Sequence, residues 1–442
     1  MLKRAFLFLY CLWRARHPKK FNSREELERW QHEMIVKHLQ IILPKSWYYR
    51  SLYTGLPFDE WSRFPIIQKQ EMMSNFDDLN TLGIHKEEAF AIALEAERSR
   101  NFDPKVNGAT IGLSSGTSGN RGLFLVTDEE TASWAGYILG KVMPGSLFEH
   151  HKVAFFLRAN SNLYTTVSKG RIQFCFFDLQ KDISENMKQL ADFDPTILVA
   201  PPSMLRYIAT KQERGQLKLH PQKILSVAEV LDPLDEAHIR RTFNQVIHQV
   251  YQCTEGFLAT TCAYGTLHVN EDLVVIQKDY LDESKSRFSP IITDFSRKAQ
   301  PIIRYRLNDI LVEKKSACPC GSLFTAIEAI EGRCDDLFYL PSSKVRERLI
   351  PVFPDFIRRA VIASSSLLEQ YIVVQDSPLE MTIYLDAPEQ VESLVRASIE
   401  SMCTELGTAI PTIRFNPYNH VPTDKKLRRV ERRFPINDDQ VV

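Results

Sequence analysis

Apolar residues recur every three or four positions between Glu25 and Leu43, and Pro44 ends the pattern. This spacing predicts an amphipathic helix and, with it, a helical N-terminal layer. The segment from Phe64 to Phe76 then predicts a turn that leads into a short helix.

Further along the chain, short apolar runs typical of strands alternate with helical patterns. The predicted strands cover 153–157, 172–177, 196–200, 223–227 and 245–250, and the predicted helices cover 131–141, 184–190, 202–214 and 235–243. Such alternation indicates a layered α/β architecture with mostly parallel sheets. Ligands collect beyond strand ends in such sheets, which points to the loops after Leu113, Val227 and Val250.

The pattern changes near Asp336. Predicted strands at 361–364, 371–375 and 381–385 precede a long amphipathic helix at 389–406, as in a small α+β domain. We therefore expect a large α/β N-terminal domain over residues 1–334 and a C-terminal domain over residues 335–442.

The charge balance limits the classes of partner. The 442-residue chain has 55 basic and 55 acidic residues, so its formal net charge is zero and a nucleic-acid partner is not expected. Eight cysteines are too few for a disulfide framework in a chain of this length, and we expect a cytoplasmic protein with reduced thiols.

Residues 1–16 carry basic residues on both sides of the apolar stretch Ala5–Trp13. That stretch is too short to span a bilayer, and it lacks the cleavage site of a signal peptide. A basic amphipathic helix is expected, and it would lie either on the protein itself or weakly on a membrane surface.

The loop at 114–122 consists almost entirely of Ser, Gly and Thr and follows the apolar run that ends at Leu113. Glycines let the backbone approach an anion, and hydroxyl side chains add donors, so the loop is suited to phosphate; a flexible surface loop is the alternative. The Gly-Lys-Ser/Thr register of a P-loop is missing, which disfavours a P-loop kinase or GTPase.

The same loop resembles the nucleotide loop of the adenylate-forming enzymes, a superfamily of acyl-CoA synthetases, luciferases and adenylation domains. The resemblance implies that ATP phosphates bind to the loop residues Ser114, Ser115, Gly116, Thr117, Ser118 and Gly119. Arg121 stands beside them, and we expect it to reach the outgoing pyrophosphate.

The segment Tyr251–Gly256 is similar to the superfamily's Tyr-Gly-x-Thr-Glu motif, with Gln252 in place of the glycine. The resemblance implies that Tyr251 packs on adenine, that Thr254 contacts phosphate and that Glu255 holds Mg²⁺. A carboxylate suits this hard dication. Read alone, Glu255 could equally be a solvated loop residue.

Three later segments resemble further motifs of the superfamily. Asp309 takes the place of the ribose-binding carboxylate, Arg333 that of a ribose or phosphate ligand, and Asp335 that of the hinge between the two domains. Lys426 takes the place of the lysine that enters the active site during adenylation. Asn308 and Lys425 replace glycines of these motifs, and structural ion pairs or a solvated basic run are the alternatives.

Within the superfamily, the chain resembles the phenylacetate:CoA ligases and the synthetases that adenylate a deazaflavin coenzyme. The residues that carry this resemblance lie at 56–57, 64–69, 200–205 and 318–321, and Ala228 and Glu229 take the adenine-loop position.

Cys262 and His268 lie on one segment, and Cys318 and Cys320 on another. Three thiolates and an imidazole form the closed ligand set of a structural Zn²⁺ site, and some phenylacetate:CoA ligase relatives carry zinc on similar residues. Four unconnected side chains are the alternative.

The resemblance implies ATP-dependent, AMP-forming activation of a carboxylic acid, with Lys426, Glu255 and Thr254 in catalytic roles. ATP, Mg²⁺ and Zn²⁺ are the expected cofactors, CoA or a carrier-protein thiol the expected acceptor, and a homodimer the expected assembly. An aryl acid is favoured if six aromatic residues line a pocket, and plain core packing is the alternative for them. These residues are Trp134, Tyr137, Phe156, Tyr164, Phe174 and Phe257. Two alternatives stay open: an adenylyltransferase acting on a phenolic hydroxyl, and a non-catalytic nucleotide-binding relative.

Overall fold

A computed structural model describes residues 2–99, 101, 105–114, 121–145, 149–157, 171–179, 181–345, 347–420 and 426–436. Its first part is helical, as the apolar spacing predicts. The helices are α1 (Leu2–Arg16), α2 (Arg24–Ile42), α3 (Trp47–Leu52), α4 (Lys69–Ser74), α5 (Phe76–Leu79) and α6 (Lys86–Ser99), with a 3-10 helix at Phe58–Arg63. Ser23 caps α2 by accepting a hydrogen bond from the Glu26 backbone N–H. No helix within the described ranges combines the length and the apolar character needed to cross a membrane.

A small antiparallel sheet follows, made of β1 (Lys105–Val106), β2 (Ala109–Leu113) and β3 (Leu123–Thr127). The Ser/Gly/Thr loop joins β2 to β3, which pair in antiparallel register from Ala109↔Thr127 to Leu113↔Leu123. The loop therefore closes a hairpin outside the main sheet instead of ending one of its parallel strands.

The main sheet has twelve strands, and its first half is parallel. Strands β4 (His151–Leu157), β5 (Ile172–Asp178), β6 (Ile197–Ala200), β7 (Lys223–Val227) and β8 (Ile247–Cys253) lie in the order β5-β4-β6-β7-β8. Helices α7 (Asp128–Val142), α8 (Ile183–Phe193), α9 (Pro202–Glu213) and α10 (Pro233–Phe243) alternate with these strands. The predicted α/β class is confirmed.

The second half of the sheet is antiparallel, so the expectation of mostly parallel sheets holds for one half only. It contains β9 (Gly256–Thr261), β10 (Leu267–Val269), β11 (Val274–Tyr280), β12 (Arg287–Asp294), β13 (Ile302–Arg306), β14 (Asp309–Glu313) and β15 (Ala326–Arg333). Only Thr254 and Glu255 separate β8 from β9. Such a short connection reverses the chain, because parallel strands need a crossover of about a dozen residues.

The rest of the chain builds a smaller α+β unit after a 3-10 turn at Cys334–Asp336. Its elements are β16 (Phe338–Pro341), β17 (Leu349–Val352), α11 (Pro354–Ala363), β18 (Gln370–Ser377), β19 (Glu380–Asp386), α12 (Gln390–Glu405), β20 (Thr412–Pro417) and β21 (Val430–Arg432). Buried apolar residues from Phe338 to Val430 form a core of their own.

One predicted strand in this unit is wrong. Residues 361–363 form the end of α11, and Ser364 is its C-cap. The helix begins with Pro354 at its first position and buries Ile357 and Val361 on one face. The β-branched residues near 361 favour a strand locally, but the four-residue spacing of the buried positions decides for a helix.

Candidate functional site

The end of β8 and the turn that follows it carry three of the predicted site residues. The Tyr251 hydroxyl donates a hydrogen bond to Asp309 Oδ2 at 2.5 Å, which links the end of β8 to the start of β14. Glu255 accepts from the Thr254 hydroxyl at 2.8 Å and from the Tyr305 hydroxyl at 3.2 Å. The motifs around 251 and 309, far apart in sequence, therefore form one hydrogen-bonded group.

Asp309 lies opposite Arg333 in the register of β14 and β15, and the Arg333 Nε is 3.8 Å from Asp309 Oδ1. Burial raises the pKa of Asp309, whereas the hydrogen bond from Tyr251 and the charges of Arg333 and Lys426 act in the opposite direction. Asp309 is a partly buried carboxyl with acceptor sites for hydrogen bonds, and a partner of two ribose hydroxyls needs such sites.

The adenine-loop position has a strained backbone. Ala228 follows β7 with φ at 68°, and the Glu229 N–H donates to the Val227 carbonyl at 2.8 Å. A non-glycine residue in this region costs free energy and recurs where backbone groups are positioned for a ligand. Glu229 accepts from the Ser203 backbone N–H at 3.3 Å and from the Leu427 backbone N–H at 3.0 Å, and burial raises its pKa.

Lys426 belongs to a segment of the small unit that contacts the large unit. Beside it, Leu427 contacts Glu229, Arg428 pairs with Asp336, and Arg429 donates to both carboxylate oxygens of Asp235 at 2.6 Å. The Lys426 charge counteracts the raised pKa values of both Glu229 and Asp309. The structure thus brings Lys426 to the same site as the residues of the main sheet.

The pair between Arg429 and Asp235 is part of a buried ionic cluster between the two units. The Tyr371 hydroxyl donates to Asp232 at 2.6 Å, and Arg358 lies 3.4 Å from the same carboxylate. Both aspartates belong to the large unit, at the start of α10, whereas Arg358, Tyr371 and Arg429 belong to the small one. Arg206 of the large unit also lies 3.4 Å from Asp235. Since a buried charge without its partner is costly, this cluster fixes how the two units meet.

The Ser/Gly/Thr loop is described only at its ends. Ser115, Gly116, Thr117, Ser118 and Gly119 lie outside the described residues. Ser114 closes the base of the loop, because its hydroxyl accepts from the Gly122 N–H at 2.8 Å and its own N–H donates to the Gly122 carbonyl at 2.7 Å.

Lys69 is a cation at this site for which sequence reasoning assigned no role. Its Nζ donates to the Ser114 hydroxyl at 3.3 Å from the first turn of α4. Burial lowers the pKa of Lys69, and the nearby Glu255 carboxylate opposes that shift. The sequence offered one signal for a role of Lys69: it ends the segment 64–69, which carries part of the resemblance to the phenylacetate:CoA ligases.

Arg121 is placed differently from its expected role. Its guanidinium forms two hydrogen bonds with Glu97 of α6, at 2.7 and 2.5 Å, and its Nε donates to the Ser114 carbonyl at 3.2 Å. In this structure Arg121 therefore ties the loop base to α6, and a contact with pyrophosphate stays a prediction.

These residues share one cleft with a volume of about 2280 Å³, which exceeds the volume of a pocket for a single drug-sized ligand. One side, which we call the nucleotide side, is lined by the polar residues Lys69, Ser114, Glu229, Tyr251, Glu255, Asp309, Arg333 and Lys426. The other, which we call the acid side, is lined mainly by the apolar and aromatic residues Trp134, Tyr137, Ile138, Phe155, Phe174 and Phe257.

The prediction that Phe156 lines the pocket is wrong. Tyr164, another predicted pocket residue, lies outside the described residues. Phe156 is fully buried on the other face of the sheet, where its ring stacks on Phe177 at 4.5 Å. Because side chains alternate along a strand, Phe155 faces the cleft instead.

The four predicted zinc ligands lie together. The ligand atoms of Cys262, His268, Cys318 and Cys320 are all within 4.8 Å of one another. The sulfurs of Cys262 and Cys318 are 3.7 Å apart, close to the edge of about 3.8 Å that a tetrahedron with Zn–S bonds of about 2.3 Å requires. His268 Nδ1 lies 3.0 Å from the Phe324 carbonyl, which leaves Nε2 toward the thiols. The set fits zinc, and all eight cysteines, which are within the described residues, are free of disulfides.

Neither a comparison with protein-family models nor one with curated proteins finds a match. Among solved structures, the chain is similar to 2-hydroxyisobutyryl-CoA ligase in the postadenylation state with its acyl-AMP, with a TM-score of 0.67 and 14% identity over 92% of this chain and 90% of that one. For the same ligase in the thioesterification state with CoA, the TM-score is 0.53 at 16% identity, over 95% and 92%. An acyl acid amido synthetase gives 0.53 at 13% identity, over 88% and 86%. The chain has the fold of the adenylate-forming enzymes.

Proposed function

We propose that this protein activates a carboxylic acid with ATP, forming an acyl-adenylate and pyrophosphate, and then transfers the acyl group to a thiol such as that of CoA or a carrier protein. The observation that carries this proposal is the nucleotide side of the cleft. There, five motifs that are spread from Ser114 to Lys426 meet. One hydrogen bond joins Tyr251 to Asp309, and another joins Tyr305 to Glu255.

In the first step, a carboxylate oxygen of the acid attacks the α-phosphorus of ATP. The bond to the β-phosphate oxygen breaks, and pyrophosphate leaves with the electron pair of that bond. The Lys426 ammonium and the loop that begins at Ser114 would stabilise the charge on the phosphates, and Asp309 would accept hydrogen bonds from the ribose. Glu255, with Thr254 beside it, would hold Mg²⁺, which offsets phosphate charge.

We further propose an aryl acid as the substrate, in a branch that resembles the phenylacetate:CoA ligases. Support comes from the acid side, where Trp134, Tyr137, Phe174 and Phe257 line the cleft. Aromatic rings at such a wall favour flat, apolar groups, with which they can stack.

Residues 335–442 are proposed to rotate about Asp335 after adenylation, which removes Lys426 from the site and opens a path for the thiol. The chain has a higher TM-score to the ligase in the postadenylation state than to the ligase in the thioesterification state. This difference supports the proposal that Lys426 is placed here as it would be for adenylation. Asn308 Nδ2 donates to Asp335 Oδ2 at 2.5 Å. Asp335 lies two residues after the end of β15, which pairs with the strand that Asp309 begins.

The deciding experiment is ATP–pyrophosphate exchange with a panel of aryl and aliphatic acids. We expect exchange that depends on both Mg²⁺ and one class of acid, and an activity at least about a hundredfold lower in Glu255→Gln. Glu313→Gln, at the half-buried end of β14 where Glu313 pairs with Lys278, is the matched control. Exchange without any acid would point to a hydroxyl acceptor, and no exchange alongside ATP binding would point to a non-catalytic protein.

We also propose a structural Zn²⁺ on Cys262, His268, Cys318 and Cys320, which would join the β9–β10 hairpin to the segment before β15. We expect one zinc per chain by mass spectrometry under native conditions. In Cys318→Ser/Cys320→Ser, we expect loss of the metal and a melting temperature lower by at least about 5 °C. Cys175→Ser is the control for a cysteine outside the cluster. A folded wild-type protein without zinc would contradict the proposal.

A further inference from the structure

Helix α1 is fixed to the body of the protein along one face only. It packs on α7, where it buries Cys11 and Ala15. The two helices approach closely at glycines of α7: a Cβ on Gly136 would lie 2.4 Å from the Phe8 carbonyl oxygen, and one on Gly140 would lie 2.4 Å from the Ala15 Cβ. The inner face of α1 therefore lies on the protein itself, which is one of the two alternatives expected from the sequence.

The outer face of α1 is apolar and exposed. Leu2, Phe6, Leu9 and Trp13 are spaced by four, three and four residues, which places them on one side of the helix. Their exposed fractions are 90%, 68%, 60% and 58%, and we call this row the outer stripe. A contiguous apolar row of this kind marks an interaction surface.

The segment that carries the outer stripe has charges of one sign. Residues 1–23 contain Lys3, Arg4, Arg14, Arg16, Lys19 and Lys20 and no Asp or Glu, although the chain as a whole is neutral. Lys3 and Arg4 pair with Glu129 and Asp128 at one end of the helix. The four other cations lie toward its other end.

We infer that α1 docks the protein on an anionic membrane surface, with the outer stripe in the headgroup region and the exposed residues Lys19 and Lys20 at the lipid phosphates. An apolar helix face flanked by Lys and Arg is the pattern of interfacial helices, and a helix of 15 residues is too short to span the bilayer. Charge complementarity favours lipid over a second copy, since two copies of this basic surface would repel each other.

The test is co-sedimentation of the full chain with vesicles of phosphatidylcholine containing about 30% phosphatidylserine, against vesicles of phosphatidylcholine alone. We expect binding to the anionic vesicles that decreases with salt. Phe6→Ser/Trp13→Ser should reduce the partition coefficient at least about tenfold. Lys19→Gln/Lys20→Gln should reduce it about tenfold on anionic vesicles only.

The control pair is Leu367→Ser/Leu394→Ser, which removes two equally exposed leucines from the small unit and should leave binding unchanged. Unchanged melting temperature and ATP binding in every variant would show that the fold is intact. Equal binding of wild type and the Phe6/Trp13 variant would overturn the inference. So would a concentration-dependent dimer that is lost in this variant while the wild type ignores vesicles, because the occupant would then be a second copy.

Discussion

The two sides of the cleft are built by different physical means. On the nucleotide side, polar groups fix one another directly, as in the hydrogen bonds from Tyr251 to Asp309 and from Tyr305 to Glu255. On the acid side, residues such as Trp134 and Phe174 are held by packing with neighbouring apolar side chains. Charge and direction therefore dominate on one side, and shape dominates on the other. Substitutions should affect rate on the first and substrate choice on the second.

The largest effect is expected from Lys426→Met. Loss of one preorganised charge at the phosphates should lower acid-dependent pyrophosphate exchange by about 10²–10³-fold. Transfer from preformed acyl-adenylate to the thiol should change little, since in the proposed cycle Lys426 leaves the site before that step. Lys344→Met, on an exposed turn, is the control. An equal loss in both half-reactions would place Lys426 outside the adenylation step.

A smaller effect is expected from Arg429→Met, which breaks the buried pair with Asp235 and leaves that carboxylate without its strongest partner. The unit that carries Lys426 would then be held less firmly, and exchange should fall about tenfold while the thiol-transfer step is spared. Arg414→Met removes a mostly exposed ion pair with Glu380 and serves as the control. If the rates of both half-reactions and the melting temperature all decrease in Arg429→Met, the buried cluster serves folding only.

Next comes the pH dependence of ATP binding. Because burial raises the pKa of Asp309, its carboxylate is protonated at a higher pH than an exposed aspartate, and ATP affinity should fall as the pH falls through that pKa. Tyr251→Phe removes the hydrogen bond that opposes the shift, so the midpoint should move to higher pH, with ATP affinity reduced about fivefold. Titration calorimetry over a pH series measures both. A midpoint unchanged in Tyr251→Phe would contradict this coupling.

The smallest effect on overall activity is expected on the acid side. Trp134→Phe enlarges the pocket without changing any charge, so the preference among acids should shift by about tenfold while the KM for ATP stays the same. Trp47→Phe, which is exposed on α3 away from the cleft, is the control. A changed KM for ATP in Trp134→Phe would contradict the idea that the acid side affects substrate choice without affecting the nucleotide side.

Local sequence predicted much of the fold and most of the nucleotide side. Alternating strand and helix patterns gave the parallel half of the sheet, because each element is recognisable from its own periodicity. These patterns did not predict the antiparallel half, because the pairing of its strands depends on the direction in which short connections reverse the chain. The β-branched residues near Val361 predict a strand, but tertiary packing makes this segment the end of the helix at 354–363.

The sequence by itself determined which chemical groups are present and in which order, including Tyr251, Glu255, Asp309, Lys426 and the cysteine–histidine set, since these depend on short motifs. Only the tertiary structure decided which groups meet. It brought Lys69 to Ser114, paired Arg121 with Glu97, turned Phe155 and not Phe156 toward the cleft, and laid α1 on α7 with its outer stripe exposed. The reason is that contact between distant segments follows from strand register and packing, and a short motif contains neither.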